Sequence, residues 1–337
     1  MIYMTRLNED PSTRPTASLR MDALREIFGD RAKEHEPLAK HLNFRIGGPA
    51  RWFVEVRTIE ELQHVLSVAK SEDVDTFVLG GGSNTLASDD GFDGLVIKLA
   101  LRSFQIDGTT VVADAGMISA ALARETAKAG LAGFTWAISL PGTIGGAARG
   151  NAGCFGGEMV DTVTKVEVLR DGQITEVSAE EMQFGYRESA VKHNDDIVLR
   201  VWMELTPGDP QELMEQLKTT VESRKKTQPL YAGSAGCIFK NFEYEEDSEI
   251  EKLKSAVAIP EGMLVAKRIS AGWLIDQADL KGTRIGDASI SEEHGNFLIN
   301  HGKVTADEIV QLIALVKTRI RDQFGIQLQE EVQYVGF

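Results

Sequence analysis

The sequence from residue 136 to residue 158 reads Trp136-Ala-Ile-Ser-Leu-Pro-Gly-Thr-Ile-Gly-Gly-Ala-Ala-Arg-Gly-Asn-Ala-Gly-Cys-Phe-Gly-Gly-Glu158. Each glycine costs a helix roughly 1 kcal/mol relative to alanine, so an ordinary helix is not expected here. The large apolar residues spaced through the stretch need burial, which excludes a flexible linker. The stretch therefore predicts a backbone that turns repeatedly and lets a ligand approach its amides. The alternative is a buried, turn-rich core segment.

A second glycine cluster lies upstream and favours the ligand interpretation. A short strand, Thr76 to Leu79, leads directly into Gly80-Gly81-Gly82-Ser83-Asn84. Successive backbone N–H groups in such a loop can hold a pyrophosphate. The cluster lacks the G-x-G-x-x-G spacing of a Rossmann fingerprint and the Lys-Ser/Thr of a P-loop. The two clusters together predict a cofactor cradle of another kind.

Composition excludes several classes of protein. The 337 residues are 42% hydrophobic, enough for two or three domains with a substantial core. A net charge of −15 argues against a nucleic-acid surface, and no apolar run approaches the ~20 residues of a membrane span. The two cysteines, Cys154 and Cys237, fit a reducing cytosol, and no histidine pair has zinc-ligand spacing. We expect a cytoplasmic protein without a metal, whose N-terminus, Met1 to Pro15, forms a loose tail.

The pattern of elements predicts an α+β chain with many short strands. A charged helix is expected from Met21 to His41, and a second helix begins at Thr58. Asp171-Gly172 between two apolar runs predicts a hairpin. A helix over 211–226 is expected to link two domains. The last helix begins at Thr305, and a final strand is expected to carry Glu331.

Single side chains leave their own chemistry open. Arg187 beside Glu188 could be a surface ion pair worth ~0–1 kcal/mol. Cys237 could be a packing residue, Lys281 a solvated lysine, and Glu331 part of an exposed strand face. From the residues alone, the chain is a cytosolic phosphate- or dinucleotide-binding α+β protein.

Several short motifs occur in one order along the chain: Phe44-Arg45-Ile46-Gly47-Gly48, Gly80-Gly81-Gly82-Ser83-Asn84, Pro141-Gly142-Thr143-Ile144-Gly145-Gly146, Asn151-Ala152-Gly153, Gly185-Tyr186-Arg187, Ser234-Ala235-Gly236-Cys237-Ile238-Phe239-Lys240-Asn241, Ala271-Gly272-Trp273-Leu274-Ile275-Asp276 and Glu331-Val332. Together they resemble the UDP-N-acetylenolpyruvoylglucosamine reductase family, the flavoenzymes of bacterial peptidoglycan precursor synthesis. The resemblance covers residues 43–336, nearly the whole chain.

The resemblance implies the domain organisation and the cofactors. An N-terminal tail and helix, 1–40, would precede a two-lobed FAD-binding domain of the vanillyl-alcohol-oxidase type over 41–208, with lobes at about 41–105 and 106–208. A substrate-binding domain would occupy 209–337. FAD would be held noncovalently, with NADPH as co-substrate in the same cleft as the sugar nucleotide. The implied cofactor-binding residues are Gly80, Gly81, Gly82, Ser83, Asn84, Gly145, Gly146 and Asn151.

The resemblance also implies roles in the reaction. Arg187 would stabilise the enolate that develops as hydride reaches the enolpyruvyl double bond, and Glu331 would assist. Tyr186, Asn241 and Lys281 would contact the substrate, with Lys281 at the UDP phosphates.

Cys237 departs from the family pattern, where the proton donor is a serine. A thiol, with an ordinary pKa near ~8.5, is the better acid, so we expect an active variant. The alternatives are another FAD oxidoreductase of this fold and a non-catalytic flavin-binding protein. The short segment after Arg187 is typical of the family's second type, which lacks a substrate-covering tyrosine loop. Oligomeric state is left open.

Overall fold

The structure, a computed structural model, describes residues 21–229 and 231–337. The chain forms two compact units that alternate along the sequence. The first takes residues up to 36, 49–81 and 92–224, and the second takes 37–48, 82–91 and 225–337. The predicted FAD-binding domain thus includes two segments that belong to the second unit, and its boundaries at 41 and 208 stay a prediction. The predicted N-terminal tail lies outside the described residues.

The helices are α1 (Met21–Phe28), α2 (Ile59–Ser71), α3 (Ser119–Lys128), α4 (Ile144–Arg149), α5 (Pro210–Thr227), α6 (Glu251–Ala256), α7 (Glu261–Val265), α8 (Ala271–Gln277) and α9 (Ala306–Phe324). The strands are β1 (Ala32–Pro37), β2 (Pro49–Val56), β3 (Thr76–Leu79), β4 (Thr85–Ala87), β5 (Phe92–Leu99), β6 (Phe104–Asp107), β7 (Thr110–Asp114), β8 (Leu131–Ala132), β9 (Gly153–Cys154), β10 (Gly157–Glu158), β11 (Val163–Arg170), β12 (Gln173–Ser178), β13 (Ile197–Glu204), β14 (Thr206–Pro207), β15 (Phe242–Glu243), β16 (Arg268–Ile269), β17 (Arg284–Ile285), β18 (Ala288–Ile290), β19 (Leu298–Asn300) and β20 (Gln333–Val335). The α+β class predicted from the sequence is confirmed.

The first sheet of the first unit has the strand order β1-β2-β5-β3, with β5 parallel to both β2 and β3. Val54, Val96 and Ile97 are fully buried, as expected for inner strands of a parallel sheet covered on both faces. Helix α2 begins as predicted, because the Thr58 hydroxyl accepts a hydrogen bond from the Glu61 amide at 3.2 Å. Strand β3 ends at the Gly80 loop, so this sheet fixes where the loop starts.

The second sheet of the first unit is antiparallel, in the order β12-β11-β13-β7-β6. The predicted hairpin at Asp171-Gly172 is confirmed, and both turn residues have positive φ, 49° and 80°. Helix α4 packs against β13 and β7. This sheet therefore supports the glycine-rich stretch that contains α4.

The second unit is built around α9. The predicted helix start is confirmed by reciprocal hydrogen bonds between Thr305 and Glu308, and Gly325 ends the helix with φ 76°. One face of α9 is buried in the core of this unit, through Ile309, Leu312, Ile313, Val316 and Ile320. The Asp89 carboxylate accepts hydrogen bonds from the amides of Ala306 and Asp307, at 2.9 and 3.3 Å. This contact anchors segment 82–91 to the start of the helix.

Three local predictions are corrected. The helix expected over 21–41 ends at Phe28, because Gly29 takes φ 55° and Ala32–Pro37 forms an edge strand, where charged residues are also common. The stretch 136–158 does contain a short helix, α4. Glu331 precedes the final strand, which begins at Gln333, and follows an isolated bridge between Glu330 and Phe239.

Candidate functional site

In the first unit the two glycine clusters lie against each other. A methyl group on Gly81 would lie 2.5 Å from Gly142 Cα, and one on Gly80 would lie 2.9 Å from Thr143 Oγ1. Both distances are shorter than packed carbon and oxygen atoms allow, so the backbones can approach only because these positions are glycine. Gly80 and Gly81 thus form one surface with residues 142 and 143, whereas Gly82, Ser83 and Asn84 belong to the second unit.

The Thr143 hydroxyl marks this surface as a place for a ligand. The side chain is buried, with 8% of its surface exposed, and its oxygen has no hydrogen-bond partner among the described residues. A buried hydroxyl without a partner costs about 1–3 kcal/mol, which a bound hydrogen-bonding group would offset. Glycine backbone and a free hydroxyl suit the pyrophosphate and flavin of FAD, so the residues present fit this cofactor.

Replacing Thr143 with valine will separate the stability of the apoprotein from its affinity for FAD. Valine removes the hydroxyl with little change in shape, so the apoprotein will be as stable as the parent or about 1 kcal/mol more stable. FAD will bind about tenfold more weakly, because one hydrogen bond in a dry site is lost. Chemical denaturation of the apoprotein and titration with FAD measure the two effects. Unchanged FAD affinity would exclude the hydroxyl from the cofactor site.

Two more predicted cofactor residues lie on α4. A methyl group on Gly145 would lie 2.6 Å from the Ala115 side chain, so this glycine lets α4 pack closely on the chain after β7. That packing outweighs the low helix propensity of glycine, which explains why the short helix forms. A methyl group on Gly146 would lie 3.7 Å from Thr143 Oγ1. Gly146 therefore borders the same hydroxyl as Gly80 does.

Asn151, which the family resemblance implies as a cofactor-binding residue, has its side chain hydrogen-bonded within the first unit, and its role toward the cofactor stays a prediction. It is 1% exposed, and its Nδ2 donates to Glu158 Oε2 at 2.8 Å and to the Gly185 carbonyl at 2.9 Å. Its Oδ1 accepts a hydrogen bond from the Val160 amide at 3.0 Å. The Asn151 side chain thus joins the glycine-rich stretch to the turn that carries Arg187.

Arg187 lies in a tight turn in the first unit. Gly185 and Glu188 exchange both backbone hydrogen bonds, at 3.0 and 3.1 Å, and Arg187 has φ 56°. A non-glycine residue in this left-handed region costs of order 1–3 kcal/mol and is frequent at functional sites. The guanidinium donates to the carbonyls of Gly153, at 2.6 Å, and Asn151, at 3.4 Å. Its carbon lies 5.3 Å from the centre of the Tyr186 ring, so the predicted substrate residue Tyr186 flanks the charge.

In the second unit the chain brings Cys237 close to Glu331. The Glu331 amide donates to the carbonyl of Ile238, the residue after Cys237, at 2.7 Å. Cys237 itself bridges to Phe297, and both Cys237 and Glu331 are partly exposed. Asn84 donates from Nδ2 to the Glu331 carbonyl at 2.9 Å. Asn84, the last residue of the glycine loop, thereby contacts the backbone of Glu331, the residue expected to assist Arg187.

Two predicted substrate residues lie at α8 in the second unit. Asn241 Oδ1 accepts a hydrogen bond from the Ala271 amide at 3.1 Å, in the first turn of α8. Lys281 Nζ lies 2.8 Å from Asp276 Oδ1, and the lysine is partly exposed. Lys281 therefore reaches any phosphate only in competition with a neighbouring carboxylate.

Sequence reasoning missed Thr143 and Lys192. Thr143 belongs to the motif Pro141-Gly142-Thr143-Ile144-Gly145-Gly146, but its burial and its lack of a partner within residues 21–229 and 231–337 depend on packing. Lys192, with 8% of its surface exposed, is buried near Arg187, and no sequence signal distinguishes it from a solvated lysine. The Cys154 Sγ lies 3.6 Å from Ser139 Oγ, and burial raises the pKa of its thiol.

Residues 21–229 and 231–337 hold no group of three or more His, Cys, Asp or Glu side chains placed to bind a metal ion. Over the same part of the chain, no helix is long and apolar enough to cross a membrane.

Comparison with known proteins covers both halves of the chain. Residues 228–335 match the family described as "UDP-N-acetylenolpyruvoylglucosamine reductase, C-terminal domain", and residues 50–178 match "FAD binding domain". Proteins named UDP-N-acetylenolpyruvoylglucosamine reductase are 38% identical in Alkaliphilus oremlandii, over 89% of this chain and 92% of theirs, and 37% identical in Clostridioides difficile, over 90% and 93%. The solved structure of the Thermus caldophilus reductase is 33% identical with a TM-score of 0.70, covering 90% of this chain and 98% of its own.

Proposed function

Because this chain belongs to the UDP-N-acetylenolpyruvoylglucosamine reductase family, we propose that it reduces UDP-N-acetylenolpyruvoylglucosamine to UDP-N-acetylmuramate, with FAD as cofactor and NADPH as co-substrate. The reaction belongs to peptidoglycan precursor synthesis. The observation that carries the proposal is that the similarity extends through the C-terminal domain as well as the FAD-binding domain. A flavoenzyme that acts on another class of substrate would share the FAD-binding domain but not the C-terminal domain.

The glycine surface of the first unit supports the cofactor assignment. Gly80 and Gly81 let the loop after β3 pack against Gly142 and Thr143, Gly145 lets α4 pack against Ala115, and the Thr143 hydroxyl has no hydrogen-bond partner among the described residues. Bound FAD supplies hydride transfer, from NADPH to the enolpyruvyl double bond of the substrate. Side chains of this chain stabilise the negative charge that develops and donate the proton.

Arg187 stabilises negative charge during the reduction. Hydride addition at one alkene carbon leaves negative charge on the other, next to a carboxylate. A guanidinium whose position is set before the substrate arrives lowers the energy of that charge without reorganisation. The two carbonyl contacts to Gly153 and Asn151 support this role, because they hold the group in place.

Cys237 donates the proton that completes the reduction. The thiol gives its proton to the alkene carbon that did not receive hydride, and the resulting thiolate regains a proton from solvent. Glu331 assists at the carboxylate end of the substrate. The Glu331 amide donates to the carbonyl of Ile238, the residue after Cys237, which supports a joint role.

Tyr186, Asn241 and Lys281 bind the UDP-sugar, with Lys281 at the diphosphate. The chain works in the cytoplasm, where UDP-sugars and NADPH are found, and its partners are these small molecules. It belongs to the second type of the family, without the tyrosine loop.

Absorption spectroscopy under anaerobic conditions tests the reaction. The purified protein, loaded with FAD, will lose its visible flavin band on addition of NADPH and regain it on addition of UDP-N-acetylenolpyruvoylglucosamine. The product, UDP-N-acetylmuramate, is identified by mass spectrometry. Loss of the band without its return would exclude this substrate and favour another FAD oxidoreductase. A protein that takes up no FAD would contradict the whole proposal.

A further inference from the structure

Lys192 is placed to control the conformation of Arg187. The lysine is buried with 8% of its surface exposed, yet it carries a charge that long side chains normally keep in water. Its Nζ donates to the carbonyl oxygen of Arg187 at 2.6 Å and lies 3.4 Å from Glu188 Oε1. The carbonyl that it contacts belongs to the residue with the left-handed backbone.

The backbone around Lys192 is itself fixed within the first unit. Residues Ala190–Lys192 form a single 3-10 turn, and the Lys192 amide donates to the Ser189 carbonyl at 3.0 Å. The Ser189 hydroxyl donates to the Arg149 carbonyl at 2.6 Å, at the end of α4. Lys192 therefore extends from a turn that is anchored to the glycine-rich stretch.

Arg187 is held from the opposite direction by the same stretch. Its guanidinium contacts the carbonyls of Asn151 and Gly153, and the Asn151 amide group holds the Gly185 carbonyl. The side chain of Arg187 is thus fixed at one end and its backbone carbonyl, through Lys192, at the other. Such double anchoring can maintain a backbone conformation that arginine seldom adopts.

We propose that Lys192 is a positioning residue that keeps the Gly185–Glu188 turn in the conformation which directs the Arg187 guanidinium. The inference rests on the proposed function for its effect on catalysis. Its structural part, the control of the turn, does not depend on which substrate the protein reduces.

The catalytic test uses Lys192→Met, which keeps an unbranched side chain, one atom shorter than lysine, and removes the charged donor. In stopped-flow experiments on the FAD-loaded protein, reduction by NADPH will stay within about twofold of the parent rate. Reoxidation by UDP-N-acetylenolpyruvoylglucosamine will slow about 10- to 100-fold, the scale expected for a misdirected catalytic group. Lys165→Met is the matched control, because Lys165 pairs with Glu176 in the same unit at 2.6 Å, and both rates will stay within about twofold.

A double-mutant cycle distinguishes positioning from a general loss of structure. If Lys192 acts through Arg187, Lys192→Met will change the reoxidation rate by less than about twofold in an Arg187→Ala background. A full further loss in that background would overturn the proposal, as would normal reoxidation in the Lys192→Met single variant.

Hydrogen exchange measures the turn without any substrate. The amides of Gly185 and Glu188, protected by their mutual hydrogen bonds, will exchange at least about tenfold faster in Lys192→Met and at the parent rate in Lys165→Met. Unchanged exchange at both amides would refute the control of the turn. If the parent protein is not reoxidised by the substrate, the proposed function fails, while hydrogen exchange still decides whether Lys192 holds the turn.

Discussion

Replacing Cys237 with alanine will lower steady-state turnover by about 10²–10⁴-fold, the usual contribution of a positioned proton donor. Reduction of the bound FAD by NADPH will stay within about twofold of the parent rate, because hydride transfer to the cofactor does not use this proton. The two half-reactions, followed separately by flavin absorbance under anaerobic conditions, will therefore respond differently. Loss confined to reoxidation by the substrate is the signature of the missing donor.

Cys237→Ser is the matched variant, since serine restores an acidic hydrogen at the same position. It will keep most of the parent activity and will resist inactivation by peroxide, which oxidises a thiol but not an alcohol. The parent protein will lose activity under the same treatment. Full turnover in the alanine variant would refute the donor role, and equal peroxide sensitivity of the serine variant would show that oxidation acts elsewhere. An inactive serine variant with an active parent would mean that the site is adapted to sulfur.

Replacing Gly81 with alanine will abolish FAD binding and, with it, all activity. The added methyl group would lie 2.5 Å from Gly142 Cα and 3.0 Å from the Gly142 carbonyl carbon. Both are backbone atoms, so neither can turn aside as a flexible side chain could. The Gly80–Gly81 loop must then move away from residues 142 and 143, which separates the two halves of the proposed cradle.

The measurement is the ratio of flavin to protein absorbance after incubation with excess FAD and gel filtration. Circular dichroism of the same samples shows whether the variant remains folded. Gly262→Ala is the control, because a methyl group on Gly262 in α7 meets no described atom within 4 Å beyond its neighbours and its own helix backbone, and this variant will retain FAD. A Gly81→Ala protein that binds FAD at the parent ratio would contradict the position assigned to the cofactor. If Gly81→Ala fails to fold, Thr143→Val tests the same surface without a steric conflict.

The sequence alone is sufficient to predict structural features that depend only on residues close together in the chain. The start of α2 at Thr58, the capping of α9 by Thr305 and Glu308 and the hairpin at Asp171-Gly172 all follow from side chains within four positions of each other. The order of the glycine and substrate motifs also identifies the family, because it requires only matching along the chain. The prediction of one helix over 21–41 was wrong after Phe28. The charge pattern there is compatible with both a helix and an edge strand, and pairing with β2 selected the strand.

Tertiary packing decides the features that join distant segments. The family resemblance implies that Asn151 binds the cofactor, which stays a prediction, and only the structure shows that its buried amide bonds to Gly185 and so supports the Arg187 turn. The contact of Asn84 with Glu331 and the burial of Lys192 against the Arg187 carbonyl have no local signal either. The segments that cover a polar group decide whether it has a hydrogen-bond partner, and the Thr143 hydroxyl has none among the described residues. Local sequence thus determines where the chain turns and where its helices are capped. The packing of remote segments determines which of its polar groups remain available for chemistry.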